Sequence, residues 1–250
     1  KKIREFVDEL FSILPFETEW FGKRGVKVHY VGNPLLDAID EFRKNSNSND
    51  FRINNKLPEK PIVALLSGSR VQEIKNTLPV MVEAAKDKTE FQFVVAGVNT
   101  VDKKLYENML AGTGIQIVFN QTYQLLENAY AALVASGTAT LETALFKVPQ
   151  AVLYRVEGGW PVHFVMKKFV LKIEWASLPN LILNKTAIKE YLQVEMTVKN
   201  VNAELKRLLF DLEYRKRMLD DYNRLAEIMG NPGTSEIAAA KMLELLKQNK

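Results

Sequence analysis

The chain has no cysteine and only two histidines, His29 and His163, among its 250 residues. The first absence rules out disulfides, thiolate metal sites and a cysteine nucleophile, and suits a reducing cytosol. The second argues against a histidine-rich metal centre. Long apolar runs are also missing: none approaches the roughly 18 residues of a membrane span, so the chain is not expected to cross a bilayer itself. A dominant charge is absent too. With 34 basic against 30 acidic residues and a net charge of +4, the chain lacks the footprint of a dedicated nucleic-acid binder, and a local anionic ligand fits it better. It opens on Lys1-Lys2-Ile3 with neither methionine nor a signal-like segment, so the simplest expectation is that sequence upstream is missing. No internal repeat is present.

What remains is a chain that is 47% hydrophobic, enough to bury a real core in one large domain or two smaller ones. Residues 10–16 and 26–34 read as short strands flanking a helical stretch that Gly25 stops. Residues 43–61, polar and rich in Asn and Ser, read as a linker. From Pro61 the pattern alternates. Strands are expected at 62–66, 91–97, 115–119, 131–136 and 149–156, with helices at 72–85, 102–110, 122–128 and 138–146. Such alternation predicts an α/β fold, a doubly wound parallel sheet with helices on both faces. From Val198 onward two amphipathic helices are expected, split by Gly230-Asn231-Pro232-Gly233. The predicted division is 1–42 as the tail of a preceding domain, 43–60 as linker, 61–197 as the Rossmann-like domain and 198–250 as C-terminal helices.

Ligands of such sheets sit at the carboxyl ends of the strands, and two strand ends carry suspicious chemistry. One is Ser67-Gly68-Ser69-Arg70, closing the run "IVALLSGSRVQEI". The other is Ser136-Gly137-Thr138-Ala139-Thr140-Leu141-Glu142. Small residues let a ligand approach the backbone, and hydroxyls and helix N-terminal N–H groups hold phosphate oxygens. Arg70 would add a bidentate clamp, and Glu142, one turn into its helix, could accept hydrogen bonds from ribose hydroxyls. The plainer reading is that each is a helix cap, since Ser or Thr followed by Glu three or four residues on is a capping signature. Occurring as a pair, they favour a nucleotide site. Neither is a Walker loop or a G-x-G-x-x-G turn. Asn180, in a bend with Pro179, has the donors and acceptor to recognise a phosphate or a uracil edge, or it simply forms a turn. The segment 160–173, with Lys167-Lys168, could lie near lipid or be an ordinary core helix; His163 within it reads as packed. Asp37 reads as a helix start, and Asp40 and Glu41 as a solvated face.

Taken in order, "VGNPLLDAI", "LLSGSRVQEI", "LVASGTATLETAL", "PQAVLYRV", "SLPNLIL" and "IKEYLQVEMT" resemble the lipid A disaccharide synthases, a family-19 glycosyltransferase family of bacterial outer-membrane biogenesis. The similarity runs from about Leu10 to the final helices. It implies a GT-B fold of two Rossmann-like domains, of which this chain would hold the C-terminal UDP-binding domain and a remnant of the N-terminal one. It also implies transfer of diacylglucosamine from its UDP donor to the 6-hydroxyl of diacylglucosamine 1-phosphate, making the β-1,6 disaccharide and releasing UDP. The general base would lie in the family's amino-terminal domain, so this chain alone is expected to be inactive. Three departures stand out. Ser67 replaces the family's usual proline, Asn33 its histidine, and Leu183-Asn184 its Ala-Gly.

On that resemblance the reaction is an inverting displacement in which Arg70, the N–H groups after Gly68 and the Gly137-Thr138 turn stabilise charge on the leaving diphosphate. Gly68, Ser69, Arg70, Ser136, Gly137, Thr138, Glu142, Asn180 and Gln193 would form the UDP-sugar pocket. UDP-sugar is a substrate, and neither cofactor nor metal is called for. The partners implied are the two lipid substrates and the cytoplasmic face of the inner membrane, with no nucleic acid; self-association is left open. The alternatives are another enzyme of this architecture, such as a UDP-N-acetylglucosamine epimerase or a peptidoglycan glycosyltransferase, and a non-catalytic nucleotide-binding module.

Overall fold

The computed structural model describes residues 2–46, 50–155 and 175–248. The chain forms two compact units, 1–46 with 224–250, and 47–223. The segment 160–173, with His163 and the Lys167-Lys168 pair, lies outside the described residues.

The first unit begins with α1 (Lys2–Phe6), β1 (Leu10–Ser12), α2 (Pro15–Gly22), β2 (Val28–Tyr30) and α3 (Pro34–Asn45). β1 and β2 pair in parallel, Leu10 opposite Val28 and Ser12 opposite Tyr30. The expected strand 10–16 is cut short because Pro15 starts a helix, where its fixed φ and missing N–H cost nothing. Asn33 caps α3: its Oδ1 accepts from the Leu35 N–H at 3.0 Å while its Nδ2 donates to the Ile13 carbonyl at 2.8 Å.

The second unit contains α4 (Phe51–Asn54), β3 (Ile62–Leu66), α5 (Val71–Ala85), β4 (Gln92–Gly97), α6 (Lys103–Leu110) and β5 (Gln116–Phe119). It continues with α7 (Thr122–Glu127), β6 (Ala129–Ala135), α8 (Thr138–Leu145), β7 (Gln150–Tyr154), α9 (Leu178–Leu183) and β8 (Lys189–Leu192). A 3-10 turn (Gln193–Glu195), α10 (Val198–Phe210) and α11 (Leu212–Met229) follow, residues 224–229 of α11 being counted with the first unit. The expected linker is partly structured, since Phe51 is buried on α4.

The six strands described in this unit are parallel, in the order β5-β4-β3-β6-β7-β8. Every residue of β3 is buried, as a strand covered by helices on both faces requires. Leu65, Leu133 and Leu153 of the central strands join Ile74, Leu78 and Met81 of α5 and Leu141 of α8 among the fully buried residues. Counted within the unit, the order is the 3-2-1-4-5-6 of a doubly wound sheet, and the chain reverses direction between β3 and β6. The carboxyl ends of those two strands therefore border the crevice where such sheets take ligands.

The tail differs from the expected two helices. Asp211 breaks the first into α10 and α11: its backbone is extended and its carboxylate accepts from the Tyr214 N–H at 2.9 Å, capping the helix that follows. Residues 198–250 are also not one helical unit. The last helix, α12 (Thr234–Gln248), belongs to the first unit, where the Asp37 carboxylate accepts from the N–H groups of Gly233 and Thr234. A negative side chain on those orphan donors suits a helix N-terminus.

Candidate functional site

The turns after β3 and β6 converge on one hollow of about 430 Å³. Gly68, Ser69, Arg70, Ser136, Gly137, Thr138 and Glu142 all line it, so seven of the nine residues singled out from the sequence are brought together. Ala96 and Val98 add the end of β4, and Thr122 adds the start of α7. The volume falls in the range of small-molecule sites. A larger hollow of about 520 Å³ lies at the opposite edge of the sheet, against the start of β4 and the loop before β5, with Lys60, Lys86 and Lys88 on its rim. Position outweighs size here, because parallel sheets of this order bind at their carboxyl edge.

The two turns are built differently. After β3, the Glu73 carboxylate folds back on its own helix: Oε2 accepts from the Ser69 N–H at 3.0 Å and the Arg70 N–H at 3.4 Å. This is the carboxylate half of a capping box, the N-cap arginine having no acceptor to complete it, and it corrects the expectation that the N–H groups after Gly68 are open to a phosphate. The plainer reading of this turn, a helix cap, describes its backbone. Gly68 explains how the cap fits, since at φ +110° a Cβ there would lie 2.7 Å from both Cβ and Oε2 of Glu73. The Arg70 guanidinium reaches Glu73 Oε1 at 3.3 Å, yet its side chain is 82% exposed. An ion pair so exposed is worth less than about 1 kcal/mol, which leaves the arginine able to turn to a stronger, bidentate anion.

After β6 no side chain among the described residues caps the helix. Gly137 sits at φ 140° and ψ −163°, a conformation all but reserved for glycine, with open space where a Cβ would point. Thr138 is exposed, whereas Thr140 is buried and its hydroxyl donates to the Gly137 carbonyl at 2.8 Å. The orphan N–H groups of α8 and its dipole thus border the hollow with no anion on them among the described residues.

Glu142 lies half-buried on α8, and Oε1 accepts a hydrogen bond from the Tyr123 hydroxyl at 3.0 Å. Burial pushes its carboxyl above the usual glutamate range, and the tyrosine's bond partly offsets that rise. Tyr123 is itself pushed up, by burial first and then by the neighbouring carboxylate.

Asn180 and Gln193 lie elsewhere. Asn180 is fully buried at the start of α9. Its Nδ2 donates to the Ile188 carbonyl and to Glu190 Oε1, both at 2.8 Å, and its Oδ1 accepts from the N–H groups of Ala187 and Ile188. Two donors and two lone pairs are all in use, which leaves nothing for a phosphate or uracil. Gln193 follows β8 with φ +51° and is buried. It shares the carboxyl edge but stands two strands beyond β6, about 10 Å along the sheet at the usual strand spacing. Glu73 and Tyr123 are hydrogen-bonded neighbours of these residues that the sequence does not single out. Spacing from the cap is the available signal for Glu73, and a lone tyrosine after β5 gives none.

The sheet order and the crevice define a Rossmann-like α/β protein of the GT-B type. A family model described as LpxB, lipid-A-disaccharide synthetase, matches residues 1–242, and the chain belongs to that family. It is 32% identical over 256 residues to the lipid-A-disaccharide synthase of Syntrophus aciditrophicus, covering 100% of this chain and 66% of the relative. The Myxococcus xanthus synthase is 33% identical over 253 residues, covering 98% of this chain and 64% of that protein. The chain thus spans just under two thirds of the length of these relatives. Among solved structures, a Staphylococcus aureus MnaA–UDP co-structure superposes with a TM-score of 0.68 at 15% identity, over 96% of this chain and 60% of the other. At that identity the likeness is one of fold.

Proposed function

We propose that the hollow at the ends of β3 and β6 holds the UDP part of a diacylglucosamine donor. In this reading the protein serves the transfer of 2,3-diacylglucosamine to the 6-hydroxyl of 2,3-diacylglucosamine 1-phosphate. The observation that carries the proposal is the convergence, at the chain reversal of the sheet, of an exposed arginine, an uncapped helix N-terminus and a half-buried carboxylate. These are the complements of a diphosphate and a ribose.

In the reaction the acceptor oxygen bonds to the anomeric carbon on the face opposite the diphosphate, so the configuration inverts. The bond from that carbon to the diphosphate oxygen breaks, and UDP leaves with the electron pair. Charge grows on the diphosphate as this happens; the Gly137-Thr138 turn meets it with donors already in place, and Arg70 turns from Glu73 to add its own. Glu142 holds the ribose. The acceptor's proton passes to a base that is not among the residues assigned here. Both substrates carry acyl chains, which supports a reaction at a membrane surface, in this reading the cytoplasmic face of the inner membrane; no described helix is long and apolar enough to cross a bilayer.

The donor's acyl chains supply the test. Titration of the 250-residue chain with UDP-2,3-diacylglucosamine and with UDP-N-acetylglucosamine is expected to show tighter binding of the diacylated donor. Equal binding accompanied by epimerisation of the soluble sugar would assign the chain to a different reaction on the same fold.

A further inference from the structure

Glu142 is steadied from another helix. The Tyr123 hydroxyl of α7 donates to its Oε1, and the Tyr123 ring lies 5.1 Å from that of Phe146, tilted by 47°. Phe146 follows Glu142 by four residues, hence on the same side of α8. One tyrosine therefore holds both ends of this face, its ring against Phe146 and its hydroxyl on the carboxylate. Glu142 Oε2 makes no hydrogen bond among the described residues, and Glu142 lines the hollow.

We infer that Tyr123 is a positioning residue for ribose recognition: it fixes the Glu142 carboxylate in one orientation and leaves the second oxygen for the sugar's hydroxyls. The inference rests on the nucleotide reading of the hollow. A carboxylate accepts from the tyrosine and from a ribose hydroxyl at once, so the two donors complement rather than displace each other. An untethered glutamate would lose rotamer freedom on binding, and the tyrosine has already removed it. Phe146 in turn keeps the hydroxyl from swinging away.

Tyr123→Phe separates this role from simple packing, because it keeps the ring on Phe146 and deletes only the hydroxyl. The readout is calorimetric titration of the full chain with UDP and with 2′,3′-dideoxy-UDP, beside thermal melting to verify folding. The wild type is expected to favour UDP by about tenfold or more, the worth of hydrogen bonds to a charged group. Tyr123→Phe should weaken UDP about fivefold or more and leave the dideoxy compound unchanged, and Glu142→Ala should abolish the preference. If Glu142→Ala loses the preference while Tyr123→Phe keeps it, or weakens both ligands equally, the positioning role is overturned and the nucleotide reading stands. A preference that survives Glu142→Ala overturns the positioning role alone, and failure of the wild type to bind either ligand overturns both.

Discussion

Glycines 68 and 137 serve the same hollow for different reasons. At Gly68 the constraint is a neighbour, since any Cβ would run into the Glu73 carboxylate that caps α5; at Gly137 it is the backbone itself, with open space around it. Strand-end glycines are legible in a sequence, but which constraint each answers is not, because Glu73 approaches only once the helix has formed. Glu142 is similar. Its place one turn into α8 can be read from the spacing, whereas its burial and its tyrosine come from α7, nineteen residues earlier. That burial has a consequence for stability. Folded Glu142 holds its proton more firmly than the ordinary value of 4.5, so above that value the folded state binds more protons than the unfolded one. Its contribution to stability is therefore lost as pH rises through this window. Glu142→Gln removes the ionisation. Urea denaturation is expected to show the variant more stable than wild type at pH 7, with the gain gone near pH 4. A gain that persists at pH 4 would mean that ionisation is not its source. Such a gain would fit a side chain kept for binding at some cost to stability.

Among the elements, the buried strands are the most legible. β3 to β7 are apolar runs of four to seven residues, and their alternation with helical periods leaves few other folds. β8 escapes such a reading because Lys189-Glu190-Tyr191-Leu192 is short, half-polar and at the sheet edge, where one row of ladder hydrogen bonds and little burial suffice. Asn180 is obscured by the same element. In sequence, Pro179-Asn180 looks like a bend with an available amide. In the structure Pro179 sits in the first turn of α9 and the amide ties that helix to the residues leading into β8. Asn180→Ala would strand the N–H groups of Ala187 and Ile188 in the interior and take a donor from Glu190. A loss on the order of 3 kcal/mol follows, since each buried unsatisfied group costs about 1–3 kcal/mol. Chemical denaturation measures it. Because Asn180 does not line the hollow, the folded variant should keep UDP affinity within a few-fold of wild type; loss of binding with stability intact would return this residue to the site.

For the whole molecule, the pairing of distant segments decides what the sequence could not show. The return of 224–250 to the first unit depends on Asp37 meeting the start of α12 almost two hundred residues away, and no local pattern announces such a contact. The candidate site has the same origin: β3 and β6 become neighbours although a pair of strands and three helices separate them in the chain. Only that adjacency puts Arg70 beside the Gly137-Thr138 turn. Calorimetric titration of the 250-residue chain with UDP, wild type against Arg70→Ala, tests it most directly. Saturable binding by the wild type is expected, with a loss of about tenfold or more in the variant, as removal of a charge-assisted contact implies. Equal affinity of the two proteins, both folded, would contradict it.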